Sequence, residues 1–322
     1  MTTSAPWVTF RPEIKVLDCT VRDGGLINSH RFEGEFVKAV YNTCIESGID
    51  YMELGYKASK KIFSRDEFGD WKFCDEDHMR RIVGDNEGPL KLTAMADAGK
   101  TDYKVDILPK KDSVLDCIRV ACYVHQIPAA IEMIKDAHDK GYETTCNIMA
   151  ISTVADAEID QALEALVATP VETIVVVDSY GALYYEQIRY LVKKYLKAAK
   201  RAGKEVGIHT HNNQQLAFAN TIEAIIQGAN RIDATMYGLG RGAGNCPMEL
   251  LIGFLRNPKF KLRPILKLLQ DYLLDIRKQV EWGPLVPYGV TGLLNQHPRD
   301  AMEIRATEKR DQFAQFYDAC NQ

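Results

Sequence analysis

The sequence predicts an α/β fold of the (β/α)8 TIM-barrel type over residues 1–255, with a C-terminal helical extension over 256–322. Three observations carry this. Short β-branched runs alternate with longer helical patterns, which calls for a parallel sheet covered by helices. Eight such units within about 255 residues match the size of a closed barrel. The rival, an open doubly wound sheet, would carry a Gly-rich phosphate loop after its first strand, and no GxGxxG stands there.

IKVLDCT (14–20) reads as the first strand, and FEGEFVKAVYNTCIESG (32–48) as a helix closed by a glycine. YMELGY (51–56) is the second strand. A polar, aromatic stretch through Phe68, Trp71 and Phe73 follows it, then a short helix over 75–83. LKLTAMAD (90–97) and VLDCIRVACY (114–123) are the third and fourth strands. PAAIEMIKDAHDKG (128–141) is a helix with Pro near its start and Gly at its end. TTCNIMAIS (144–152), TIVVVDSYG (173–181), EVGIHTHN (205–212) and RIDATMYGLG (231–240) are the remaining strands. DAEIDQALEALVAT (156–169), YYEQIRYLVKKYLKAAKRAG (184–203) and QQLAFANTIEAIIQG (214–228) are the helices between them, and another starts near Pro247. In the extension, PILKLLQDYLLDIRKQVEWG and HPRDAMEIRATEKRDQFAQF both read as helices, packed on the barrel or on a partner subunit.

The chain is 46% hydrophobic over 322 residues, enough for a full core, and its net charge of −4 is spread without a basic stripe. Nucleic acid is therefore not an expected partner. No apolar run reaches the length of a membrane span, and MTTSAPWVTF lacks the basic-then-apolar pattern of a secretory signal. Eight cysteines without a CxxC pair read as reduced, mostly buried thiols of a cytoplasmic protein.

The active site of such a barrel lies at the C-terminal strand ends, and polar residues fall there repeatedly. Strand one runs into DCTVRDGG with Asp18, Arg22 and Asp23; strand six into Asp178-Ser179-Tyr180; strand seven into HTHNN (209–213); strand eight into GLGRGAGN (238–245). Alternation along a strand points His209 and His211 to the same side. With Asp23 they make two imidazoles and a carboxylate, a set that suits a divalent metal with open positions. The same set serves zinc hydrolases and non-haem iron oxygenases, so the residues alone leave the metal open. Arg22 can clamp a carboxylate or stabilise an enolate oxygen, or form a structural salt bridge to Asp18 or another acid. The backbone of the Gly-rich loop can hold an anion. Lys57, Lys60 and Lys61, in YKASKKIFSRDEFGDWKF (56–73), are further candidates for binding an anionic substrate, or members of a solvated loop.

DCTVRDGG, HTHNN and GLGRGAGN, in that order at those strand ends, resemble the DRE-TIM metallolyase superfamily, the HMGL-like and pyruvate-carboxyltransferase-like barrels. The stretch 207–251 is most similar to the 4-hydroxy-2-oxovalerate aldolases within it. The resemblance implies a metal-dependent carbon–carbon lyase acting on a small 2-oxo acid and an aldehyde. It implies Asp23, His209 and His211 as ligands of Mn2+ or Mg2+, and Asn245 as a further ligand or a group that supports one. It implies Arg22 as the group that stabilises the pyruvate enolate, and Ser179 and Tyr288 as substrate-binding residues. It also implies a homo-oligomer and, as in some relatives, an aldehyde dehydrogenase partner.

The chain departs from that pattern in one place. Leu26 stands where the aldolases carry the histidine that takes the substrate's hydroxyl proton, and His30 matches the second histidine of that segment. His30 is carried with Arg22 as catalytic; Tyr180 and a metal-bound water are the other candidate bases. The acyltransferases of the superfamily have Glu where this chain has Gly25. An acyl-CoA-dependent Claisen condensation and a non-catalytic, partner-binding barrel are the alternative functions.

Overall fold

The computed structural model describes residues 11–321; the reading of the N-terminal MTTSAPWVTF lies outside them. Eight strands, each parallel to both neighbours, close into a barrel in sequence order. They are β1 (Lys15–Asp18), β2 (Tyr51–Tyr56), β3 (Lys91–Asp97), β4 (Cys117–Cys122), β5 (Glu143–Ile148), β6 (Thr173–Asp178), β7 (Glu205–Thr210) and β8 (Arg231–Ala234). The open-sheet alternative is thereby excluded.

The helices along the barrel are α1 (Thr20–Gly24), α2 (Gly34–Ser47), α3 (Glu76–Val83), α4 (Tyr103–Asp106), α5 (Ile127–Asp139), α6 (Asp156–Val167), α7 (Tyr185–Arg201), α8 (Ala217–Gln227) and α9 (Met248–Leu255). Val, Ile and Leu from the outer faces of the strands pack against one face of these helices in one continuous core. Gly48 (φ 71°) and Gly228 (φ 113°) end α2 and α8 in left-handed conformations that a side chain would strain.

Three differences from the expected elements shape the site. β1 stops at Asp18, and Thr20–Gly24 is one turn of helix rather than strand end. β8 stops at Ala234, because Tyr237 adopts a left-handed φ of 61° and turns the chain into the Gly-rich loop. HPRDAMEIRATEKRDQFAQF is two helices, not one.

The extension comprises α10 (Leu262–Leu268), α11 (Leu274–Gln279), α12 (Val286–Leu293), α13 (Arg299–Arg305) and α14 (Phe313–Cys320), with a π-helical turn between α10 and α11. α10 packs on α2 along the barrel's side. α12, α13 and α14 form a small cluster of their own around Tyr288, Ala301 and Phe316, against Ala243 of the Gly-rich loop. α12 went unread because VPYGVTGL carries Pro and two glycines; the Pro in the first turn is tolerated there because that N–H has no helical partner anyway. All eight cysteines are free thiols, seven of them buried. Among the described residues no helix is long and apolar enough to cross a membrane.

Candidate active site

α1 follows β1 so closely that Arg22 and Asp23 sit side by side over the barrel mouth, both buried. β7 offers His209 from within the strand and His211 just past its end, where His211 bridges to Asn245 of the Gly-rich loop. Asp23 Oδ2 lies 3.4 Å from His209 Nε2 and 3.6 Å from His211 Nε2. Each imidazole is fixed from behind: His209 Nδ1 donates to Asp233 Oδ2 at 3.0 Å, and His211 Nδ1 to the Asp178 carbonyl at 3.0 Å. These acceptors have no proton to give, so each Nδ1 carries a hydrogen, and each ring in its neutral form presents the lone pair of Nε2.

Neither Nε2, nor Asn245 Oδ1, meets a hydrogen-bond donor, though all three are buried. Orphaned buried acceptors are costly. Here they gather beside one carboxylate, which is what a divalent cation requires of its ligands. Gly240 leaves the space for this: a Cβ there would come 2.4 Å from Asn245 Nδ2 and 2.9 Å from Asp23 Oδ1. The residues present therefore fit a divalent cation.

Beneath this group the charges close into a ring. Asp23 accepts from Arg22 Nη1 at 2.6 Å, Arg22 Nε donates to Glu53 at 2.7 Å, and Glu53 also accepts from Arg119 at 3.0 Å. Arg119 donates in turn to Asp233, which holds His209, and His209 returns to Asp23. Every member is buried, so each charge depends on its neighbours for compensation. Burial alone would raise the Asp23 carboxyl, but the Arg22 guanidinium overcomes it and holds it well below the usual carboxylate range. Burial pushes His211 down to about 4, so it is neutral near pH 7. Arg22 does not pair with Asp18, which accepts from Thr20 instead and is lifted by burial to about 7.

The mouth encloses a cavity of about 70 Å³. Arg22, Asp23, Ser179, His209, His211 and Arg241 line its polar side, with Asp97 and Asn147; Leu26, Tyr56, Met95, Ala121 and Met149 line its apolar side. Larger depressions of about 680 and 740 Å³ lie by the β2–α3 segment and between α6 and α7, and none of their lining residues lines this cavity. Ser179 Oγ accepts from the Ala150 N–H at 2.8 Å, which leaves its own proton free to donate. Arg241 spans Ser179 O (2.8 Å) and His297 Nε2 (2.7 Å).

The structure thus brings together Arg22, Asp23, Ser179, His209, His211 and Asn245. It does not bring Tyr288 or His30 to the cavity wall. Tyr288 packs in the α12–α14 cluster, its hydroxyl directed at Glu281 at 3.5 Å. His30 lies behind Tyr56, ring against ring at 5.2 Å. Left-handed φ values at Ser29 (54°) and His30 (62°) fold it back under Gly25, where a Cβ would meet His30 Nδ1 at 2.3 Å. The three candidate lysines are spent elsewhere: Lys57 on Glu76, Lys60 on Asp75 and Lys61 on Asp102. Lys72 of that segment stands instead among the rings of Tyr56, Phe63 and Phe68.

Glu53, Asp97, Arg119, Asp233 and Arg241 were not read from the sequence. Glu53 and Arg119 had a signal: each is the lone charge inside an otherwise uncharged, buried strand (YMELGY, CIRVAC), where only a charge partner makes it tolerable.

The model of the HMGL-like family matches residues 13–272. The chain is 28% identical over 247 residues to 4-hydroxy-2-oxovalerate aldolase 3 of Rhodococcus jostii, covering 75% of this chain and 70% of that one. It is equally 28% identical, over 246 residues, to oxaloacetate decarboxylase of Mycobacterium tuberculosis, covering 75% and 69%. Among solved structures, the N-terminal domain of a candidate aldolase from Bacteroides vulgatus superposes with a TM-score of 0.81 at 27% identity, covering 94% of this chain and 100% of that one.

Proposed function

We propose that this chain, which belongs to the HMGL-like family of lyases, is a divalent-metal-dependent carbon–carbon lyase that cleaves or forms a 4-hydroxy-2-oxo acid by way of a pyruvate enolate. The observation that carries the reading is the convergence of the unpartnered Nε2 atoms of His209 and His211 on Asp23, with the Arg22 guanidinium beside them. Asp23, His209 and His211 would hold the cation, with Asn245 beside them, and Mn2+ or Mg2+ is the proposed ion. When bound, it supplies Lewis-acid polarisation of the substrate's keto oxygen.

The chain's own residues do the rest. Arg22 is fixed by Glu53 and Asp23, so its charge is preorganised for the oxygen on which the enolate's negative charge develops. The Ser179 hydroxyl donates to the substrate carboxylate. Leu26, Met95, Ala121 and Met149 exclude water from the reacting carbons. A cavity of about 70 Å³ takes a small acid. His30 already fills the space a side chain at position 25 would need, which counts against the acyl-CoA alternative with its glutamate there.

Leu26 favours a second reading. Decarboxylation of a 2-oxo dicarboxylic acid passes through the same enolate and needs no base on a hydroxyl group, and one relative carries the name oxaloacetate decarboxylase.

Exchange of the pyruvate methyl protons in D2O, followed by NMR, tests the shared step. Exchange that needs Mn2+ or Mg2+, stops with EDTA, and is lost together with metal binding in Asp23→Ala and His209→Ala supports the proposal. A metal-loaded protein that leaves the methyl protons in place would sink it.

A further inference from the structure

We propose that Asp97 is the proton carrier of this site. Its carboxylate takes the proton of the substrate's 4-hydroxyl group, and its carboxyl form returns that proton to C3 of the enolate. The inference rests on the enolate reading above and supplies the acid–base group that Leu26 does not.

Asp97 is the last residue of β3, and its side chain shares the cavity wall with Arg22, Asp23, His209 and His211. Its Oδ1 is buried and has no hydrogen-bond partner; its Oδ2 lies 3.5 Å from Lys100 Nζ. A carboxylate oxygen left bare in a substrate cavity is costly unless a substrate group meets it.

The other titratable groups on that wall are already assigned or unsuited. Asp23 belongs to Arg22 and the imidazoles. His209 and His211 keep their protons on the nitrogens facing Asp233 and the Asp178 carbonyl. Burial drives the Tyr56 phenol far above its ordinary value. Arg22 and Arg241 carry guanidinium groups, which do not give up protons near neutral pH.

The steps balance on one residue. As Asp97 takes the hydroxyl proton, the C4–O bond becomes a carbonyl and the C3–C4 pair passes into the C2–C3 enolate. The aldehyde leaves. The carboxyl proton then moves to C3, giving pyruvate and restoring the carboxylate, with no co-reactant consumed. Burial raises the Asp97 carboxyl above its ordinary range against the pull of Lys100, Lys72 and Arg22, which brings its basicity closer to that of a working general base.

The experiment compares the parent protein and Asp97→Asn for Mn2+ binding and for exchange of the pyruvate methyl protons in D2O. The expected result is exchange slowed by about 10²- to 10⁴-fold with Mn2+ held as in the parent. Partial return of exchange on adding formate to Asp97→Ala would support the assignment further, since a small carboxylate then occupies the vacated place. Parental exchange in Asp97→Asn overturns the assignment and leaves the enolate reading intact. Loss of Mn2+ binding along with exchange also overturns it, because Asp97 would then serve the metal. No exchange in the metal-loaded parent removes the enolate reading and this proposal together.

Discussion

The Nδ1–H of His209 donates to Asp233 Oδ2 at 3.0 Å, and this single contact turns the opposite nitrogen toward Asp23. Asp233 is itself held by Arg119, so the imidazole is aimed by a residue that never reaches the cavity wall. Asp233→Asn should lower Mn2+ affinity by about 10- to 100-fold, the usual result of removing the partner behind a histidine ligand. Titration of Mn2+ by EPR reads it directly. Affinity equal to the parent would mean that Asp233 does not orient the ring.

Gly240 should be just as sensitive, for a steric reason. Its missing Cβ is the space between Asn245 and Asp23, with approaches of 2.4 and 2.9 Å. Gly240→Ala is expected to displace one of them and weaken Mn2+ binding by at least about tenfold. Circular dichroism should remain parental, because the loop turns through other glycines.

Arg22 faces both the chemistry and the ring. Arg22→Met should cut the rate of pyruvate proton exchange by about 10²- to 10³-fold by removing preorganised positive charge. It should also destabilise the fold by about 3 kcal/mol or more, since Asp23 and Glu53 lose a buried partner. Urea unfolding and the exchange rate separate the two effects. Parental values in both would remove Arg22 from the site and from the ring.

His30 carries the pH prediction. Burial, reinforced by Lys72 and Arg22, lowers it to about 3 from the ordinary 6.5. Between those values the unfolded chain binds a proton that the folded chain does not. Stability from this residue is therefore full above pH 6.5 and lost as pH falls toward about 3, on the order of 5 kcal/mol in all. His30→Gln should flatten the fall of the urea midpoint across that window. An unchanged slope would show that His30 is not held neutral.

The barrel was legible because strand and helix periods alternate strongly, and the convergence of His209 and His211 because alternation along a strand points both to the same side. What stayed hidden has physical causes. Arg22 and Asp23 were read at a strand end, but Thr20–Gly24 is a helical turn too short for its periodicity to register. Asp97 closes LKLTAMAD on the same face as Met95, and both line the cavity, but as the acid at a strand end it was read as an ordinary terminal residue. Tyr288 was placed by a loose resemblance, in an extension whose packing depends on contacts between distant segments. His30 lands behind Tyr56 because of two left-handed residues that carry no glycine to announce them.

The closed ring from Asp23 through Arg22, Glu53, Arg119, Asp233 and His209 constrains how this protein can change over time. Each member has two neighbours, so one substitution takes a buried partner from two residues at once, at about 3–5 kcal/mol, a large share of a domain's whole stability. Viable histories should therefore exchange opposite charges together. In a double-mutant cycle, Glu53→Gln combined with Arg119→Met should cost less than the sum of the two alone.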